Sequence, residues 1–169
     1  MPTNLIKVYN ELLELLFLNE PQRIKSLTGI FERDIRNNRN FLFRQKSIYP
    51  TPAEDGDIAM EVLFNHLTRK TTNDDSKKRE LDIERSCRLH WIRYHIEEKK
   101  KGNMLCFSTR EPKGFRTYIY DKDEKYVIIL EPRCNNTNYF LLTAYPLMGK
   151  DKARDKIMKK YRHRLNEVL

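Results

Sequence analysis

The sequence predicts an α+β protein: N-terminal helices, a long central helix packed on a four-stranded antiparallel sheet, and a C-terminal helix. Three features carry that prediction. Apolar residues recur at helical spacing up to about residue 100. After Gly102 the pattern changes to short runs rich in aromatic and β-branched residues. A highly charged segment of helical length then runs from Lys150 to Val168. Strands grouped between helices define the α+β class.

Residues 4–18 read as an amphipathic helix, with Leu5, Val8, Tyr9, Leu12, Leu15 and Leu16 on one spacing and Thr3 or Asn4 as N-cap. Pro21 opens a second helix carrying Ile24, Leu27, Ile30, Phe31 and Ile35 on one face, and the run Asn37-Asn-Arg-Asn40 ends it. Phe41–Ile48 suits a short strand or an extended connection, which Pro50 and Pro52 terminate. Asp55 or Asp57 caps a third helix through Arg69, with Ile58, Val62, Leu63 and Leu67 inward. The polar stretch 71–78 reads as a mobile loop. It separates an N-terminal helical region (1–70), a cap or interaction arm, from an α+β domain (79–169) holding the sheet.

The central helix is expected from about Arg79 to Lys100, apolar along two stripes. One holds Ile83, Cys87, His90 and Tyr94; the other follows the same spacing through Arg85, Leu89, Ile92 and Ile96. A helix apolar on two sides lies between layers. Lys99-Lys-Lys-Gly102 supplies cations and a C′ glycine for its end. Met104–Thr109, Phe115–Tyr120, Tyr126–Glu131 and Tyr139–Tyr145 then read as strands of an antiparallel meander. The turn-formers Pro112–Gly114, Asp121–Glu124 and Asn135–Asn138 separate them.

Charge gives the first functional indication. The chain carries a net +9, and its halves differ: residues 1–84 hold 13 basic and 14 acidic side chains, residues 85–169 hold 20 and 10. A positive field concentrated in one half favours polyanions such as nucleic acid, or an anionic membrane surface. No apolar run approaches the ~18–20 residues that cross a bilayer, so no membrane association is expected. Glu11 and Glu14 interrupt the apolar N-terminal stretch, which reads as a helix face and not a signal peptide. Three widely spaced cysteines, with no Cys-x-x-Cys, argue against a disulfide scaffold or a zinc site and fit a reducing cytoplasm. With 5 glycines and no phosphate-cradling loop, nucleotide cofactors are disfavoured; no cofactor and no metal are expected.

The remaining inventory of His, Arg, Lys, Thr and Tyr suits metal-independent phosphodiester chemistry. Attack by the 2′-OH of RNA needs a base, an acid at the leaving oxygen and cations over the phosphorane. His90, in Arg88-Leu-His-Trp-Ile-Arg93, is one candidate acid or base, and a packed histidine satisfied by a carbonyl is its plain alternative. His95 is the competing histidine, while His66 and His163 read as surface residues. Arg116, Tyr118 and Tyr120 share one face of their strand, and Thr143 and Tyr145 share one face of theirs. If those faces coincide, an arginine, a threonine and three tyrosines converge. Arg85 with His90, and Arg88 with His95, also match the Arg-x4–6-His spacing of all-helical HEPN ribonucleases, which the strand-rich half contradicts.

Arg88–Arg93, Arg116-Thr-Tyr-Ile-Tyr120, Tyr126–Leu130, Tyr139–Pro146 and the basic Lys159-Lys-Tyr161 follow one another in an order that resembles a known family. It is that of the phage-associated nucleases of the barnase–EndoU–colicin–RelE superfamily, most closely their fourth phage group. The likeness covers about residues 79–165. It implies a helix on a four-stranded antiparallel sheet and metal-independent RNA cleavage leaving a 2′,3′-cyclic phosphate. It also implies a toxin-like or phage-borne effector role, with RNA as substrate and an antitoxin or immunity protein as partner. By that resemblance His90 is the acid or base, Arg116 stabilises the phosphorane, and Thr143, with Tyr145 adjacent, orients the phosphate. Arg88, Tyr118, Lys159, Lys160 and Arg162 would hold the substrate. The rival reading is a non-catalytic nucleic-acid-binding or adaptor protein that uses the same basic half.

Overall fold

The chain departs from helical expectation in its first residues. The computed structural model describes residues 2–54, 58–71, 79–149 and 151–169. Pro2–Ile6 form a 3-10 turn, and residues 7–18 continue as an irregular strap, with Asn10 at a φ of 65°. The strap's peptide groups pair with the body of the protein, where a helix would have paired them internally. Leu13 N–H donates to the Cys87 carbonyl at 2.9 Å, and Trp91 Nε1 donates to the Glu11 carbonyl at 3.0 Å. Asn4 does not cap a helix; its amide spans the strap, accepting from Glu14 N–H at 2.8 Å and donating to Ser26 Oγ at 2.8 Å.

Helix α1 (Glu20–Phe31) begins with a reciprocal cap: Asn19 Oδ1 accepts from Gln22 N–H, and Gln22 Oε1 accepts from Asn19 N–H. A π-turn, Glu32–Arg36, extends it. Strands β1 (Leu42–Phe43) and β2 (Lys46–Pro50) form a small hairpin. Helix α2 (Ala59–Thr68) follows, and its expected caps Asp55 and Asp57 lie outside the described residues. Strands β3 (Arg69–Thr71) and β4 (Arg79–Leu81) pair as a hairpin, and the expected loop, from residue 72 on, also lies outside the described residues.

The long central helix is corrected to three pieces. β4 takes its first residues; α3 (Ile83–Ser86) and α4 (Trp91–Ile96) take the rest, with a turn at 87–90 between them. Asp82 sets the start of α3 by accepting from Arg85 N–H at 3.1 Å. Through the turn the bonds tighten to i+3 spacing, as in Trp91 N–H to the Arg88 carbonyl at 2.9 Å. The chain leaves α4 through Glu98 at a φ of 53°, ahead of the expected stop at Gly102.

The sheet is a second correction. Strands β5 (Met104–Glu111), β6 (Gly114–Asp121), β7 (Tyr126–Arg133) and β8 (Asn138–Pro146) form the meander, but β2 adds to β8 in parallel and β1 to β2. The result is a mixed six-stranded sheet, β1-β2-β8-β7-β6-β5, curled into a half-barrel, in place of a four-stranded antiparallel one. A register shift between Ile129 and Leu130 leaves Leu142 unpaired on β8, and such a bulge bends a sheet. Helix α5 (Lys152–Arg162) is shorter than the expected 150–168.

Each face of the sheet has its own core. The inner face presents Ile119, Tyr126, Ile128, Leu130 and Leu141 to the helices, where Leu27, Phe43, Leu63 and Trp91 meet them. Residues from both ends of the chain therefore share one interior. On the outer face Phe107, Tyr118, Tyr120 and Val127 pack beneath Ile157 of α5. Helix α5 packs over β5, and its Ile157 reaches Tyr118, Tyr120 and Val127; beside it Arg116, Ile129, Leu142 and Thr143 line an open groove.

Candidate nucleic-acid interface

Strand register decides which expected site residues meet. Tyr118 opposes Ile129, and Ile129 opposes Thr143, so these three side chains form one row across the outer face. Arg116 stands one row away on the same face as Tyr118, opposite Thr109. Arg116, Tyr118, Ile129, Leu142 and Thr143 line an open groove of about 380 Å³, closed at one end by the β5–β6 turn with Glu111 and Lys113. Gly114, at a φ of 119°, makes that tight turn possible. Tyr145 lies one row further along the same face, opposite Val127, with the Arg85 guanidinium 5.5 Å from its ring centre.

A second concavity, of about 330 Å³, adjoins the groove between the end of β5 and α5. Lys156, Lys159, Lys160 and His163 line it with Arg110 and Glu111. Glu111 belongs to both and joins them. Its Oε1 accepts from Lys160 Nζ at 2.6 Å, Tyr118 Oη at 2.8 Å and Thr109 Oγ1 at 3.0 Å. Partial burial opposes ionisation of Glu111, but those donors outweigh it and hold its carboxyl below the ordinary range. Burial, and then the bond to Glu111, push the Tyr118 phenol well above its usual value, so it acts as a neutral donor. Arg116 uses Nη1 on Glu131 Oε2 at 3.0 Å and on the Phe115 carbonyl at 2.9 Å. Its Nε and Nη2 donate to nothing among the described residues, and one guanidinium edge stays free for an oxyanion.

Compared with known families, curated proteins and solved structures, the chain matches none. The residues themselves must carry any reading.

The two candidate histidines, His90 and His95, fall elsewhere. His90 and Arg116 sit on opposite sides of the sheet: His90 is buried in the helical layer and Nε2 donates to the Val8 carbonyl at 3.1 Å, fastening the strap. Burial, opposed by that carbonyl, favours its neutral form. His95 is also buried in the helical layer, with Nε2 3.1 Å from Asp121 Oδ2. Neither histidine lines the groove. Arg88 is likewise apart, bound to Glu84 and 5.4 Å from the Trp91 ring centre. Arg162 is exposed on α5. Among the described residues no group of three or more His, Cys, Asp or Glu side chains could hold a metal ion.

Two residues of this interface escape sequence reasoning. Glu111 shares strand parity with Phe107 and Thr109, which would have placed it on the outer face. His163 reads as a surface residue and is exposed, and the docking of α5 against β5 sets it on the wall of the lysine pocket.

Proposed function

We propose that this protein binds single-stranded RNA along the outer face of its half-barrel. One observation supports this above all. The register gathers Arg116, Tyr118 and Thr143 into a groove that shares Glu111 at its rim with the lysine pocket of α5. The groove floor, Ile129 and Leu142, is apolar and suits a base; the pocket is cationic and suits the adjoining phosphates. Cys87, Cys106 and Cys134 are free thiols, in keeping with a reducing cytoplasm where RNA is met. No helix among the described residues is long and apolar enough to cross a membrane.

Fluorescence anisotropy with a labelled mixed-sequence RNA tests the reading. Neutralising about four phosphates gives a log–log salt slope near −3, so affinity should fall about 50-fold between 50 and 200 mM salt. Arg116→Ala should weaken binding about tenfold at low salt. Salt-independent binding, or none, rejects the proposal.

Cleavage is the second reading, and one observation favours it. Glu111 and His163, a carboxylate and an imidazole, line one lysine-rich pocket. That combination could supply a base, an acid and cations for 2′-OH attack without a metal. His90 has no part in this version. Digestion of RNA in EDTA to products ending in a cyclic phosphate, abolished by His163→Gln with binding retained, would establish it. A toxin-like role and an antitoxin partner depend on that activity. RNA that stays intact leaves the protein a binder.

A further inference from the structure

Glu111 offers the groove more than a counter-charge. All three of its donors converge on Oε1. Its Oε2 accepts no hydrogen bond among the described residues, and it is not a buried atom. The side chain is fixed from two elements, by Tyr118 on β6 and Lys160 on α5, so this oxygen is held in place at the rim shared by groove and pocket. A fixed anionic acceptor next to an apolar floor selects what a base presents on its edge. The free edge of Arg116, on the neighbouring strand β6, and Thr143, across the groove on β8, add donors.

We propose that Glu111 makes this groove selective for nucleobases bearing an exocyclic amino group, with cytosine bound in preference to uracil. The inference rests on the RNA-binding reading above. An amino group donates to Oε2 while the ring acceptors beside it face the guanidinium and hydroxyl donors; a carboxylate accepting from cytosine N4 is an established pairing. Uracil replaces that amino group with a carbonyl. Its only ring N–H lies between two carbonyl oxygens, which would be brought against a carboxylate. Cytosine and uracil are nearly the same size, so the discrimination is one of hydrogen-bonding pattern and not of fit.

Anisotropy with labelled oligo(C) and oligo(U) of equal length, on the full chain, is the test. The wild type should bind oligo(C) about tenfold more tightly than oligo(U), in line with one good base-edge pairing. Oligo(C) built from N4,N4-dimethylcytidine should lose that advantage, which probes the contact without altering the protein. Glu111→Gln keeps an acceptor for Tyr118 and Lys160 but presents an amide to the base. It should bring the two affinities within about twofold of each other while binding stays salt-dependent. Equal wild-type affinities, or a preference that survives both dimethylation and Glu111→Gln, overturn the selectivity and leave RNA binding standing. No binding of either oligomer removes both.

Discussion

Asp121 is the most heavily engaged charged side chain on the inner face. It is fully buried at the end of β6, and its carboxylate accepts from Tyr9 of the strap, from Lys100, and from the backbone N–H groups of Asp123 and Glu124. Burial alone would raise its pKa; His95, Lys100, Tyr9 and the turn N–H outweigh that and hold it far below the usual carboxylate range. The sign of the linkage follows. In the unfolded chain this carboxyl titrates near ~3.9, so its stabilising effect is complete above that pH and is lost as pH falls further toward the folded value. Asp121→Asn should therefore cost about 3 kcal/mol near neutral pH, because Lys100 loses its buried counter-charge. Urea midpoints measured across pH should show a shallower decline below about pH 4 in the variant than in the wild type. An identical acid limb in the two proteins would place the acid sensitivity elsewhere.

At the scale of elements, α5 connects fold and function. Its apolar hold on the sheet is narrow. Ile157 is buried against Phe107 and Tyr118, Tyr161 meets the Phe107 ring edge-on at 5.3 Å, and Lys160 reaches Glu111. The remaining faces are charged and solvated. Ile157→Ala should cost about 3 kcal/mol in chemical denaturation, the usual loss for an emptied aliphatic site. It should also weaken RNA binding, since the pocket's lysines ride on this helix. Unchanged affinity in that variant would show that α5 is not one wall of the site. The strap behaves differently. Polar anchors from the 87–90 turn, α4 and β6 hold it, and Leu13 and Leu15 are buried while Phe17 stays 97% exposed. Its apolar residues look helical by spacing because both inward and outward positions are apolar. The backbone then follows whichever partners the rest of the molecule supplies.

The whole molecule separates its charge by half and by surface. About half of the excess of the C-terminal half is displayed on α5, while Glu111 and Glu131 pin Lys160 and Arg116 in place. Lys159 is exposed on the pocket wall. Lys159→Ala should therefore lower the salt slope of RNA binding by about one unit and weaken all sequences alike, as expected for a phosphate contact. An unaltered slope would remove Lys159 from the path of the strand. Local chemistry written into the chain determined a good deal of this: the α+β content, the strands after Gly102, the shared faces of Arg116 with Tyr118 and of Thr143 with Tyr145, and the basic C-terminal half. These depend on near neighbours, where side-chain alternation and turn formers act directly. Tertiary structure alone decided the rest. It placed β2 beside β8, broke the central helix at 87–90, drew His90 and His95 under the strap, and set Glu111 between groove and pocket. Each of those outcomes joins segments far apart in sequence, and it follows from which distant partner satisfies a buried peptide group or apolar face. Spacing along a single chain carries no record of that partner.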